Sequence, residues 1–95
     1  MLIQITKFET KLTEEEVVKR AKERSDRFRA LPGLLQKYYI KLDNPKRFGA
    51  VYIWDSRESF EAYRTSDIAK TLPEAYQIVG KPDIELIEGL FALRD

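Results

Sequence analysis

The side chains best suited to chemistry in this sequence are aromatic. Tyr38, Tyr52, Trp54, Phe60 and Tyr63 lie within one short stretch, with the amide of Gln36 close by. Such a set can form a pocket for a flat organic molecule, with phenol and indole tips fixing its orientation. It can equally be core packing, because small domains use aromatic residues to gain buried area. Gln36 also has two readings: an amide facing a ligand, or a structural amide satisfied by a protein partner. Lys37 and Lys41, alternating with Tyr39, could hold an anionic substrate, or pair with carboxylates at the rim of a subunit interface.

Other chemistries lack their residues. The 95-residue chain has no cysteine, which removes disulfides, thiol nucleophiles and thiolate metal sites. It has no histidine, so the commonest metal ligand and the commonest general base are missing. No EF-hand spacing, tight acidic cluster or glycine-rich nucleotide loop is visible. The expectation is therefore no metal and no cofactor, and no residue stands out as a general base. With 17 Lys+Arg against 16 Asp+Glu, the net charge of +1 gives no field to draw the chain toward nucleic acid or anionic lipid.

These residues need elements to position them. LIQITKF, residues 2–8, reads as a strand. Thr13 opens T-E-E-E, with Glu16 three residues on. This is a capping box, and its acidic run suits the positive end of a helix dipole. The helix that follows has an apolar stripe of Val17, Val18, Ala21, Phe28 and Leu31, with Ser25 filling the gap, and Pro32-Gly33 stops it. Residues 34–42, LLQKYYIKL, and 48–54, FGAVYIW, form a hairpin around the turn Asp43–Arg47. Asp55-Ser56 with Glu58 and Ser59 caps a second helix through Phe60, Ala62 and Tyr63. A shorter piece from Ser66 ends at Pro73. Gly80-Lys81-Pro82 leads into a last strand over about 83–93.

The order β-α-β-β-α-β is the ferredoxin-like motif, one α+β domain spanning 1–95. Hydrophobic content of 43% and charged content of 35% suit a soluble globular domain. No stretch approaches a membrane span. The opening MLIQITKFET lacks the basic and apolar regions of a signal peptide, so a cytoplasmic location is expected.

Pairing Leu42 with Phe48 puts Ile40 opposite Ala50, Tyr38 opposite Tyr52 and Gln36 opposite Trp54. That register places Gln36, Tyr38, Tyr52 and Trp54 on the helix side. Tyr39, Val51 and Ile53 fall on the free side, where a second subunit should bury them, since one helix layer cannot cover two apolar faces. An RNA recognition motif shares the strand order. Here, however, Arg47 replaces its glycine, Ala50 and Ile53 replace stacking aromatics, and Gln4 stands on the first strand. A metal chaperone of this fold would need a cysteine pair.

The runs FRALPGLLQKYYI, FGAVYIWDSRESFEAYRTSDIAKTLPEAY and IELIEGLFALR resemble the dimeric α+β barrel superfamily, over nearly the whole chain. They are most similar to the YdhR-type monooxygenases, relatives of the antibiotic biosynthesis monooxygenases. The resemblance implies a homodimer with facing sheets and a pocket between sheet and helices in each protomer. It also implies a monooxygenase of aromatic or polyketide-like substrates, working without metal or flavin, in which the substrate supplies the reducing power. Quinone-forming relatives keep an Asn and a Trp on the third strand and a Tyr on the following helix. Trp54 matches the Trp, whereas Ala50 stands at the Asn position and Phe60 at the Tyr position. Haem-degrading relatives need an axial histidine, which is absent. The alternatives are a non-catalytic ligand-binding or structural homodimer, and another reaction in the same pocket such as isomerisation or dehalogenation.

Overall fold

The computed structural model describes residues 1–94. Its elements are β1 (Leu2–Thr10), α1 (Glu14–Arg29), β2 (Leu34–Lys41), β3 (Arg47–Trp54), α2 (Arg57–Arg64), the single turns α3 (Asp67–Lys70) and α4 (Leu72–Ala75), and β4 (Ile78–Glu88). The strands form one antiparallel sheet in the order β2-β3-β1-β4. This is the ferredoxin-like α+β fold. No helix among the described residues is long and apolar enough to cross a membrane.

Local chemistry explains the helix ends. The Thr13 hydroxyl accepts from the Glu16 amide at 3.2 Å, and the Glu16 carboxylate accepts from the Thr13 amide at 3.1 Å, completing the capping box. Past α1 the chain turns at Gly33, with φ of 80°, where a side chain would run into Ser59 and Asp55. The Gly33 carbonyl accepts the Asp55 amide at 2.8 Å, which fastens the entry to β2 against the entry to α2. Ser56 caps α2 by accepting from the Ser59 amide. Pro73 does not end a helical piece. It lies in the first turn of α4, where its missing N–H has no helical carbonyl to serve.

The hairpin register differs from the expected one by a single residue. Lys41 pairs with Phe48, Tyr39 with Ala50, Lys37 with Tyr52, Tyr38 with Val51 and Gln36 with Ile53. Arg47 belongs to the strand rather than the turn: its carbonyl accepts the Leu42 amide, and its amide donates to Asn44. A one-residue slip exchanges the faces of a strand. Gln36 and Tyr38 therefore lie on the free side, and Lys37 and Tyr39 lie under the helices. An irregularity between Leu34 and Gln36 puts Leu34 opposite Trp54, where Gln36 was expected.

The last strand also begins earlier than expected. Ile78 and Val79 already pair with Thr10 and Glu9, and the register shifts before Asp83 pairs with Lys7. Gly80, with φ of 72°, sits within this shift, so Gly80-Lys81-Pro82 lies inside the strand at a break in its pairing instead of preceding it. Beyond Glu88 the described residues have left the strand, and Leu90, Phe91 and Leu93 are exposed.

The core lies between the sheet and the helices in two clusters. One gathers Leu2, Phe28, Tyr52, Trp54, Phe60, Tyr63 and Ile68, and the other Phe8, Leu12, Val17, Ala21, Phe48 and Tyr76.

Candidate functional site

A cleft of about 330 Å³ opens between α1 and the sheet. Its origin is visible along the inner stripe of α1. Val17 and Phe28 fill their positions, but Ala21 and Ser25 between them are small. Below lies Ala50, the smallest side chain of the helix side of β3. These small side chains leave space between helix and sheet. Tyr39, Tyr52, Phe48 and Lys37 form the floor, and Tyr76 and Leu72 close one end. The hydroxyl of Thr10 fixes Tyr76 by donating to its backbone carbonyl while accepting from the Leu12 amide.

The sequence-derived pocket set divides on this geometry. Only Tyr52 borders the cleft. Trp54 has no exposed surface, and its Nε1 donates to Oε1 of Gln4 at 3.0 Å. The Gln4 amide in turn donates to Thr6 at 2.9 Å, so the buried amide beside the indole is Gln4 on β1 and not Gln36. Trp54 stacks on Tyr52 with 5° between planes, and Tyr63 and Phe60 pack around it. Trp54, Phe60 and Tyr63 thus form core, one layer behind the cleft. Gln36 is exposed, and its Oε1 accepts from the Lys37 amide. Tyr38 is 57% exposed on the free face. Both are corrections that follow from the register. Of the residues expected on the free face, Val51 and Ile53 are there, while Tyr39 is on the helix side and lines the cleft.

Sequence reading offered Lys37 as a group that could hold an anion but put it on the free face of the sheet. Lys37 points under α1, its Nζ 3.3 Å from the ring centroid of Phe28 and 4.6 Å from those of Tyr39 and Tyr52. Among the described residues no carboxylate pairs with it. Burial, reinforced by the Arg24 guanidinium, pushes its ammonium down to about 7. The signal was the alternation of Lys37, Tyr39 and Lys41, read one face out of place. Lys41 is different: it pairs with Glu14 at 2.7 Å on the cleft rim.

Phenols stand in both core clusters beside the cleft. Tyr52 and Tyr63 share a 3.5 Å hydroxyl contact. The Tyr76 hydroxyl is buried with no partner among the described residues, and burial, with a smaller push from Tyr39, raises it to about 12. Burial also raises Tyr39, Tyr52 and Tyr63. Arg24 donates to the Ile68 carbonyl at 2.8 Å and lies 5.9 Å from the Phe28 ring. The charged side chains bordering the cleft are Lys22, Arg29, Lys37 and Lys41 against Glu14 alone. Among the described residues no group of His, Cys, Asp or Glu is arranged to hold a metal ion. The arrangement suits a flat, mostly apolar molecule carrying an acidic oxygen.

An antiparallel sheet with its cleft between sheet and helices places the molecule in the fold of the antibiotic biosynthesis monooxygenases. The solved structures that share it are distant in sequence. The NE2512 protein of unknown function from Nitrosomonas europaea aligns with a TM-score of 0.78 at 21% identity, over 96% of this chain and 90% of that one. A putative antibiotic biosynthesis monooxygenase from Deinococcus radiodurans gives 0.76 at 14%, over 100% and 98%. SnoaB, a cofactor-independent oxygenase from Streptomyces nogalater, gives 0.77 at 11%, over 99% and 97%. No curated protein matches the chain significantly. The family model described as "Putative mono-oxygenase ydhR" matches residues 2–84, and the chain belongs to that family.

Proposed function

We propose that this protein is a small-molecule monooxygenase acting on an aromatic or polyketide-like substrate in the cleft under α1, without a cofactor and as a homodimer. The observation that carries the reading is the cleft itself: an aromatic floor, phenol tips and a lysine with no carboxylate partner among the described residues, in a chain of this family. In the reaction an electron-rich substrate gives up two electrons and two protons. One oxygen atom of O₂ enters it at carbon, and the other leaves as water. The chain's own residues orient the ring and exclude solvent. The cofactor independence of the SnoaB relative supports chemistry driven by the substrate's own electrons. The dimer is supported by the free face of the sheet, where Ile3 lies beside Ile53 and Ile87, and Ile5 beside Val51.

A second reading, a ligand-binding or structural dimer without chemistry, draws on two residues. Ala50 borders the cleft where quinone-forming relatives keep an Asn, and Phe60 is buried core where they keep a Tyr. Oxygen-electrode assays on chelator-treated, flavin-free protein with anthrone and a panel of polycyclic phenols separate the two. The oxygenase reading expects uptake well above autoxidation, and one labelled atom in the product when heavy dioxygen is supplied. Binding across the panel with no uptake would establish the second reading instead.

A further inference from the structure

We propose that Lys37 is the anion-receiving group of the cleft: it takes the proton of a phenolic or enolic hydroxyl and holds the resulting oxyanion in the cage of Phe28, Tyr39 and Tyr52. The inference rests on the reading of the cleft as a substrate site, and names the substrate class as planar hydroxyaromatics or enols that bind in ionised form.

Several observations meet at this residue. A lysine on an exposed strand edge would normally extend into solvent, but Lys37 folds inward and stands against three ring faces. No carboxylate neutralises it among the described residues. The groups around it are Arg24 of α1 and the phenols of Tyr39 on β2 and Tyr52 on β3, with Tyr63 of α2 touching Tyr52, and Arg29 and Tyr76 lining the same cleft. These are cations and phenols. The phenols are held neutral by burial, so none of them competes with a ligand anion for the lysine. An arriving oxyanion would supply the negative charge that the cage lacks.

The proton transfer balances simply. The ligand O–H bond breaks, its electron pair stays on oxygen, and the neutral amine of Lys37 forms an N–H bond. With burial holding the amine midpoint to about 7, a large fraction of the free protein has this amine ready near neutral pH. The product is an ammonium–oxyanion pair sandwiched by rings, and the ionised ligand is the more readily oxidised form.

The test uses 7-hydroxycoumarin, whose neutral and ionised forms absorb at different wavelengths. Buffered below the dye's own midpoint, wild-type protein should bind it and develop the ionised band. The bound dye's midpoint should fall by about one pH unit or more. Lys37→Met should bind the dye in its neutral form, with the midpoint back at or above the free value. Lys19→Met, on the solvated face of α1, should match wild type. In the same samples the Cε NMR signal of Lys37 should titrate near neutrality and move to higher pH with dye bound. If the dye binds wild type but stays neutral, or stays ionised in Lys37→Met, the lysine inference is wrong while the cleft remains a ligand site. If neither protein binds hydroxyaromatics at all, the reading of the cleft falls and takes this inference with it.

Discussion

At the residue scale, the ammonium of Lys37 is pulled in two directions. Desolvation under α1 disfavours its charge, while the ring faces of Phe28, Tyr39 and Tyr52 favour it. The balance lies with desolvation, which brings the group from 10.5 to about 7. Between those values the unfolded chain carries a proton that the folded chain lacks, so the stability of the fold rises with pH across that window. Below it both states are protonated, and the folded state bears the whole cost of the buried charge. Replacing Lys37 with Met removes that cost and keeps most of the packing. The variant should exceed wild type by about 1–3 kcal/mol at about pH 6, and the advantage should shrink toward about pH 10. Urea denaturation of both proteins at the two pH values measures this directly. An advantage that does not change with pH would mean that Lys37 keeps its ordinary midpoint.

At the element scale, α1 both builds the cleft and could have disclosed it. Ser25 was visible as the gap in its apolar stripe, and so was the cap at its start. Thr13→Ala removes the hydroxyl that accepts the Glu16 amide, and should cost about 1 kcal/mol in thermal or urea unfolding. The cleft floor lies on the sheet, so dye binding should be unchanged below the transition. The hairpin was less legible. LLQKYYIKL carries large apolar residues on both faces: Leu34, Tyr38, Ile40 and Leu42 on one alternation, Leu35 and Tyr39 on the other. Hydrophobic pattern therefore could not choose the register. The turn chose it: Asn44 accepts the Arg47 amide and, through its side chain, the Lys46 amide, which shortens the loop by one residue. That single residue moved Lys37 and Tyr39 into the site and Gln36 and Tyr38 out of it. The aromatic set of β3 and α2 was correctly placed under the helices. Its depth, core for Trp54 and cleft for Tyr52, depends on where α1 lies, which spacing along the chain does not encode. Gln77, with φ of 45°, starts β4 early by reversing the chain after Tyr76, a conformation its residue type does not announce.

At the scale of the whole molecule, the cleft and the free face lie on opposite sides of one sheet, so assembly and ligand binding can be separated by mutation. The free face carries Ile3, Ile5, Val51, Ile53 and Ile87 as register neighbours, with Tyr38 beside Val51. Helices cover only the other side. An apolar sheet face of this kind is costly in water, and in the proposed dimer a second copy of itself would cover it through a two-fold, self-complementary interface. Val51 lies at its centre, between Ile5 and Tyr38. Val51→Glu places a carboxylate among these apolar side chains, and in a buried interface should weaken association by about 3–5 kcal/mol. Sedimentation at micromolar concentration should find wild type as a dimer and Val51→Glu as a monomer. The side chain of Val51 points away from the cleft, so a folded monomer should still bind hydroxyaromatics through Lys37. Wild-type protein sedimenting as a monomer would remove the facing-sheet dimer. A variant that loses dimer and fold together, by circular dichroism, would show that the second copy is needed to hold the sheet itself.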